Sequence, residues 1–172
     1  MNRAVLLLAA SVALLALSPK ARAAEDATPP HLVMEVGTWI EVPNRDPEYW
    51  VLGGRASWQP VPWIGLAAEG EVYLLYVVPL GVGLRAGPIL RPWALAPGRV
   101  TPFVTGQVGL SAVTVPDLGA DARWNVRGEA GLDVCFGKSM MLTIGGGAFW
   151  PLAITENDGP APFVHVMFGI HD

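Results

Sequence analysis

Ten charged residues of this chain recur at alternate positions of segments whose other positions are apolar. Residues two apart in a β-strand point to the same side, so these groups would share one face of a sheet. Buried charges of both signs must pair or reach water. The pattern therefore indicates either a salt-bridge network that fills an interior or a gate whose pairs exchange partners and open a narrow pore. The set comprises Glu35, Glu41, Arg55, Glu69, Glu71, Arg85, Arg123, Arg127, Glu129 and Asp133.

One histidine is a candidate for acid–base catalysis. His165 lies on the polar face of the last predicted strand, and it could meet Glu35 if the first and last strands adjoin. A histidine beside a carboxylate can act as a general base. The favoured interpretation is a histidine whose polar atoms are satisfied inside the same polar interior, so we predict no catalytic residue.

The sequence predicts no metal site and no cofactor. Its three histidines lack metal-ligand spacing, and it has a single cysteine. The glycines from Gly81 to Gly87 do not have the spacing of a dinucleotide-binding loop. The acidic residues Glu156 and Asp158 could hold divalent cations that bridge lipopolysaccharide phosphates, although a solvated loop is the favoured interpretation.

The composition excludes several classes of protein. The chain has 172 residues, of which 52% are hydrophobic and 15% are charged, against about 25% charged in an ordinary soluble domain. Its mean hydropathy is +0.40. An intrinsically disordered chain would show low hydropathy and high charge. The formal net charge of −4 does not favour nucleic acid as a partner.

The first 23 residues have the features of a signal peptide. Arg3 precedes an apolar stretch from Ala4 to Leu17, and Ala21-Arg22-Ala23 is a small-residue cleavage site. The apolar stretch is shorter than the ~20 residues that a spanning helix needs. We therefore expect a signal peptide at 1–23, a short periplasmic segment at 24–30 and a single domain at 31–172.

The mature chain alternates between apolar and polar residues in eight segments. This period of two predicts β-strands with two unlike faces. Short turns join the segments, so we predict an all-β, eight-stranded antiparallel up-and-down barrel, which has no free edges. The turn near Tyr76 to Pro79 is the least distinct boundary. The segments are Leu32–Val42, Tyr49–Gln59, Ile64–Val78, Leu80–Leu90, Val100–Ala112, Ala122–Phe136, Met140–Trp150 and Phe163–Ile170.

The apolar face of these strands is predicted to meet lipid. A water-facing strand would carry lysine freely, yet Lys138 is the only lysine after the signal peptide. Tryptophans also lie near segment ends on the apolar parity, where aromatic girdles of membrane proteins sit. The predicted girdle consists of Trp50, Trp58, Trp63, Trp124 and Trp150. A soluble barrel with its apolar face turned inward is the alternative.

The signal peptide, the eight alternating strands and stretches such as Thr101 to Leu110 resemble small bacterial outer-membrane β-barrel proteins, of which the barrel domain of outer-membrane protein A is an example. The resemblance covers about residues 31 to 170. It implies an outer-membrane location, lipid and lipopolysaccharide as surroundings, and assembly by the barrel-assembly machinery. Such chains often end on an aromatic residue, whereas this one continues past Phe168 to Asp172.

Outer-membrane lipid A deacylases are also eight-stranded barrels, but a resemblance to them would require a His-x-Ser pair on a late strand. The corresponding residues are His165-Val166-Met167, without a serine. We therefore expect a monomeric, non-enzymatic barrel with a charge-paired, largely plugged lumen and a structural or surface-interaction role. The alternatives are a narrow cation-preferring channel, a soluble periplasmic ligand-binding barrel and, least favoured, a lipid-modifying enzyme.

Overall fold

Eight strands follow one another along the chain in the computed structural model, which describes residues 32–41, 49–61, 63–75, 78–92, 95, 98–115, 119–152 and 160–172. The predicted signal peptide, the 24–30 segment and the acidic loop around Glu156 lie outside these residues. The strands are β1 (Leu32–Glu41), β2 (Tyr49–Val61), β3 (Ile64–Leu75), β4 (Val78–Leu90), β5 (Val100–Val115), β6 (Gly119–Phe136), β7 (Met140–Pro151) and β8 (Ala161–His171).

The strands form a closed antiparallel barrel in sequence order. Each strand pairs with the next, and β8 returns to pair with β1, for example Thr38 with Val166. Closure leaves no sheet edge along the shared length of the strands. We call the end where β1 begins the lower end and the end where β1 finishes the upper end. Within the described ranges, no helix is long and apolar enough to cross a membrane.

The observed strands correspond one to one with the predicted segments, but six of them are longer than predicted, and β1 and β3 are shorter. The β5–β6 ladder continues to Val115 and Gly119, beyond the predicted limits at Ala112 and Ala122. The alternation of apolar and polar residues stops there because this β5–β6 ribbon extends past the neighbouring strands. Beyond them, neither face of the ribbon needs to be buried. The turn expected between Tyr76 and Pro79 falls between Leu75 and Val78.

The barrel wall has its apolar side chains on the outside. Leu84 is 70% exposed, Val36 66% and Phe168 60%. The residues next to them in sequence point inward and include buried charged groups such as Arg85. This arrangement reverses the usual polarity of a water-soluble domain, in which such side chains are mostly buried.

The lumen is layered from the lower to the upper end. At the lower end, Leu95 from the β4–β5 connection packs with Val33, Cys135 and Met141. A second apolar cluster consists of Ala67, Ile89 and Phe103. The upper end is closed by Trp39, Val51, Tyr73, Phe163 and Met167. Along β1, Glu35 lies between Val33 and Trp39, so the charged layer is enclosed between apolar caps.

Candidate functional site: the charged lumen

A row of alternating charges crosses the first four strands. Glu35 of β1 is the register partner of Arg55 of β2, which is also the partner of Glu69 of β3. Glu69 in turn lies opposite Arg85 of β4. Opposite charges directly across a ladder attract each other. The register alone therefore places acid, base, acid and base side by side.

Arg55 is the centre of the lower half of this network. Its Nε donates to Glu35 Oε2 at 2.7 Å and its Nη2 to Glu35 Oε1 at 2.9 Å. Its Nη1 donates to Glu129 Oε1 of β6 at 2.6 Å. The bidentate contact fixes the guanidinium plane as well as its position. Arg55 thereby links strands on opposite sides of the barrel.

Arg127 has the corresponding role in the upper half. Its Nη1 lies 2.5 Å from Glu69 Oε1 and 2.6 Å from Glu71 Oε1, and its Nη2 lies 3.2 Å from Glu129 Oε2. Its guanidinium carbon is 3.9 Å from the centroid of the Phe163 ring. A cation over an aromatic face is attracted by the ring quadrupole. Arg127 is thus held between carboxylates and the aromatic upper cap.

Arg85 completes the upper half. It forms an ion pair with Glu71, and its Nε donates to Asn125 Oδ1 at 2.7 Å. Its Nη2 donates to the hydroxyl of Tyr73 at 2.8 Å and to Ser111 Oγ at 3.2 Å. Each of the predicted bases Arg55, Arg85 and Arg127 therefore lies beside at least one predicted acid.

The sequence analysis missed Arg91, which is fully buried. Its Nε donates to Asp133 Oδ2 at 2.7 Å and its Nη1 to Ser57 Oγ at 2.9 Å. Its Nη2 lies 3.5 Å from Glu35 Oε2. The inward parity of β4 continues through Ile89 to Arg91, but the predicted segment ended one residue earlier. Extending the predicted strand by one residue would have assigned Arg91 to the inner face.

Arg123 is a correction to the predicted network, because its side chain is exposed. The residue has the inward parity of β6, but the pairing of β6 with β7 begins only at Asn125 and Pro151. Arg123 therefore belongs to the part of the β5–β6 ribbon that extends past the charged layer. The backbone of Glu41 pairs with Phe163, and its side chain lies outside what the structure describes.

His165 is buried in the lumen, but it does not meet Glu35 as its parity allowed, and neither of its ring nitrogens forms a hydrogen bond to a described residue, so the expected satisfied histidine is also wrong. Across the β1–β8 ladder His165 lies opposite Trp39, whereas Glu35 lies opposite Gly169. The nearest acid is Glu129, whose Oε1 is 3.5 Å from Nε2 of the histidine. Three ring centroids, of Trp39, Phe103 and Phe163, lie 6.2 Å from the imidazole. At 2% exposure the ring is closed to a substrate from either mouth.

Inward-facing glycines make room for the large lumen side chains. A Cβ on Gly131 would lie 2.6 Å from Phe103 Cε1, and one on Gly145 would lie 2.7 Å from His165 Cε1. Lumen side chains thus fill the space that these two glycines leave. A cavity of about 10 Å³ beside Trp39, Glu71 and Phe149 has room for one water molecule at most.

The outer face carries the five predicted girdle tryptophans at the two ends of the barrel. Each is between 42% and 59% exposed. Trp58 pairs with Leu32 at the lower end, and Trp63 lies in the lower β2–β3 turn. The other three, Trp50, Trp124 and Trp150, lie toward the upper end. The wall therefore has two rims of tryptophan separated by an aliphatic band.

Comparison with known proteins supports the architecture. No protein-family model and no curated protein sequence matches the chain. Among solved structures, the chain is similar to the N-terminal β-barrel domain of Pseudomonas aeruginosa OprF, with a TM-score of 0.67 and 15% identity over 82% of this chain and 96% of that chain. The attachment invasion locus protein Ail of Yersinia pestis gives a TM-score of 0.46 and 10% identity over 84% of this chain and 100% of that chain. The similarity to the OprF domain confirms the predicted eight-stranded barrel fold.

Proposed function

We propose that the mature protein is a non-enzymatic integral barrel of the bacterial outer membrane with a structural or surface-interaction role. The observation that carries this proposal is the outward-facing apolar surface. Its aliphatic band is bounded by tryptophans at both ends, as in membrane barrels. A predicted signal peptide at 1–23 supports export. Lipid and lipopolysaccharide would surround the wall, and the barrel-assembly machinery would insert it as a monomer.

Cell fractionation tests the location. We expect the protein in the outer-membrane fraction, released only by detergent, and with a different gel mobility before and after boiling because the closed barrel resists unfolding. Recovery from the soluble periplasmic fraction as a detergent-free monomer would contradict the proposal. That result would favour the soluble ligand-binding barrel, although a lumen occupied by Arg55 and Phe103 offers little room for a ligand.

We further propose that the lumen is plugged. Eight strands leave an interior just wide enough for side chains to fill, and here charged groups occupy it between two apolar caps. We expect no sustained conductance when the purified protein is added to a planar lipid bilayer. Stable single-channel currents would contradict the plug.

The second candidate function is a narrow cation-preferring channel. Five buried acids exceed four buried arginines among the described residues, and walls of one sign concentrate the opposite ion. If currents occur, replacing both Glu69 and Glu71 with glutamine should weaken their cation selectivity. Selectivity that survives this double substitution would exclude Glu69 and Glu71 as its source.

A further inference from the structure

One hydroxyl group in the charged lumen lies between two carboxyl groups. Oγ1 of Thr143 is 2.6 Å from Glu35 Oε1 and 2.7 Å from Asp133 Oδ1. A threonine hydroxyl has a single proton to donate, and an ionised carboxylate can only accept. Both short contacts are hydrogen bonds only if one of the two carboxyl groups donates. This arrangement calls for one proton more than the hydroxyl supplies.

The partners of the two acids distinguish the donor from the acceptor. Glu35 accepts two hydrogen bonds from Arg55 and faces Arg91 Nη2 at 3.5 Å, which is the environment of an ionised carboxylate. Asp133 accepts one hydrogen bond through Oδ2, from Arg91 Nε. Its Oδ1 has Thr143 as its hydrogen-bonding partner. Asp133 Oδ1 is therefore the oxygen free to carry a proton.

The charge balance of the described lumen gives an independent reason for one of its carboxyl groups to be neutral. Five carboxyl and four guanidinium groups are each 5% exposed or less. An unpaired charge in such an enclosed layer is strongly unfavourable. A neutral Asp133 leaves four carboxylates facing four guanidinium groups. Arg99, whose Nη1 is also buried, lies beside Cys135 at the lower end and so outside the central charged layer.

We propose that Asp133 is a neutral carboxylic acid in the folded barrel and that its proton completes a relay from Asp133 through Thr143 to Glu35. The relay joins β6, β7 and β1 and makes the plug sensitive to alkaline pH. The charged groups around Asp133 are Glu35 on β1, Arg55 on β2 and Arg91 after β4. Its register partners Thr101 on β5 and Thr143 on β7 do not titrate. The inference depends on the enclosed lumen and not on membrane insertion.

Infrared spectroscopy of the folded protein in a detergent without ester groups tests the proton directly. At about pH 8, solvent-exposed Asp and Glu side chains are ionised, so a carbonyl band of a protonated carboxyl group would come from the lumen. We expect such a band in the wild type and its loss in Asp133→Asn. A wild type without the band, or a band that persists in Asp133→Asn, would overturn the proposal. The wild-type spectrum needs no variant to fold.

A matched pair of variants identifies the acceptor of this proton. Thr143→Val removes the hydroxyl at nearly constant volume and should move the carbonyl band, because the acid loses its hydrogen-bond acceptor. Thr143→Ser keeps the hydroxyl and should leave the band in place. A proton on another acid, such as Glu69, would give a band that Thr143→Val does not move, and this result would overturn the assignment to Asp133.

The dependence of stability on pH provides a second measurement. Unfolding releases a proton from a group that is neutral in the barrel and ionised in the unfolded chain, so stability should fall as pH rises. Relative to Asp133→Asn, the folding equilibrium constant of the wild type should fall about tenfold per pH unit, from about pH 5 until the group ionises in the barrel. Asparagine can accept from Arg91 and donate to Thr143, so this variant should match the wild type below about pH 4, where the unfolded aspartic acid is also protonated, and should be the more stable protein at neutral pH. Equal pH dependence of the two proteins would refute the relay.

Discussion

The inner and outer faces of the barrel wall belong to the same strands, yet different forces act on them. Leu84 and Arg85 are consecutive, but the first is 70% exposed and the second 4%. Outside, the apolar side chains are exposed and need only to be apolar. Inside, each side chain contacts particular atoms, as Arg55 does with Glu35 and Glu129. One residue step along a strand therefore separates a position that requires only an apolar side chain from a position that requires a particular side chain.

The largest expected effect is the loss of an inner charge at the centre of the network. Arg55→Leu leaves Glu35 and Glu129 without their shared guanidinium and should lower the free energy of unfolding by about 3–5 kcal/mol. Arg85→Leu should also destabilise the barrel, by a few kcal/mol in the same approximate range. Urea unfolding in detergent measures both variants.

The matched control is Arg123→Leu, which removes the same charge from an exposed position. Water screens the interactions of an exposed charge, so this change should lower the free energy of unfolding by no more than about 1 kcal/mol. If Arg55→Leu and Arg123→Leu were equally mild, the inner arginines would be solvated and the lumen would not be a plug.

A charge on the outer face should have the next largest effect. Val36→Arg places a guanidinium midway along β1 between the partners of Trp58 and Trp50, and arginine in a membrane barrel costs about 2–4 kcal/mol near the bilayer midplane. The measurement is reversible unfolding from lipid vesicles. The same substitution in ester-free detergent micelles should be milder, and a negligible effect in vesicles would indicate that this face does not meet hydrocarbon.

A single added methyl group should distinguish the two faces by a smaller amount. Gly145→Ala would bring its Cβ first against the His165 ring inside the lumen, and overpacking of this kind costs about 1–3 kcal/mol. Gly106→Ala points outward into space with no atom within 4 Å and should be close to neutral. Equal effects of the two alanines, measured by thermal unfolding, would show that the glycines do not create room for lumen side chains.

The sequence predicted the strands and their two faces because alternation depends only on neighbouring residues. It also predicted most members of the charged lumen, since parity assigns Glu69 or Arg127 to a face without knowledge of the fold. The errors arose where position along the barrel mattered. Arg91 lies one step beyond a predicted strand end, and Arg123 lies on a ribbon that extends past its neighbours.

The pairing of individual side chains could not be read from parity. Parity placed His165 and Glu35 on the same inner surface, but the stagger of β8 against β1 sets His165 opposite Trp39. Contacts across the lumen are still less predictable, because Arg55 and Glu129 are 74 residues apart and meet only through the closure of the barrel. The same applies to the two carboxyl groups around Thr143.

The reach of Arg55 from β2 to β1 and β6 constrains the order in which the molecule can assemble. An open sheet of the first four strands could form the row of charges from Glu35 to Arg85, but the row would then be exposed to the surrounding medium. In hydrocarbon such exposed charges and unpaired strand edges are strongly disfavoured. If the barrel enters a bilayer as proposed, the pairing of β1 with β8 must accompany that entry. Curling of the sheet and loss of water from its inner face would then be a single kinetic event.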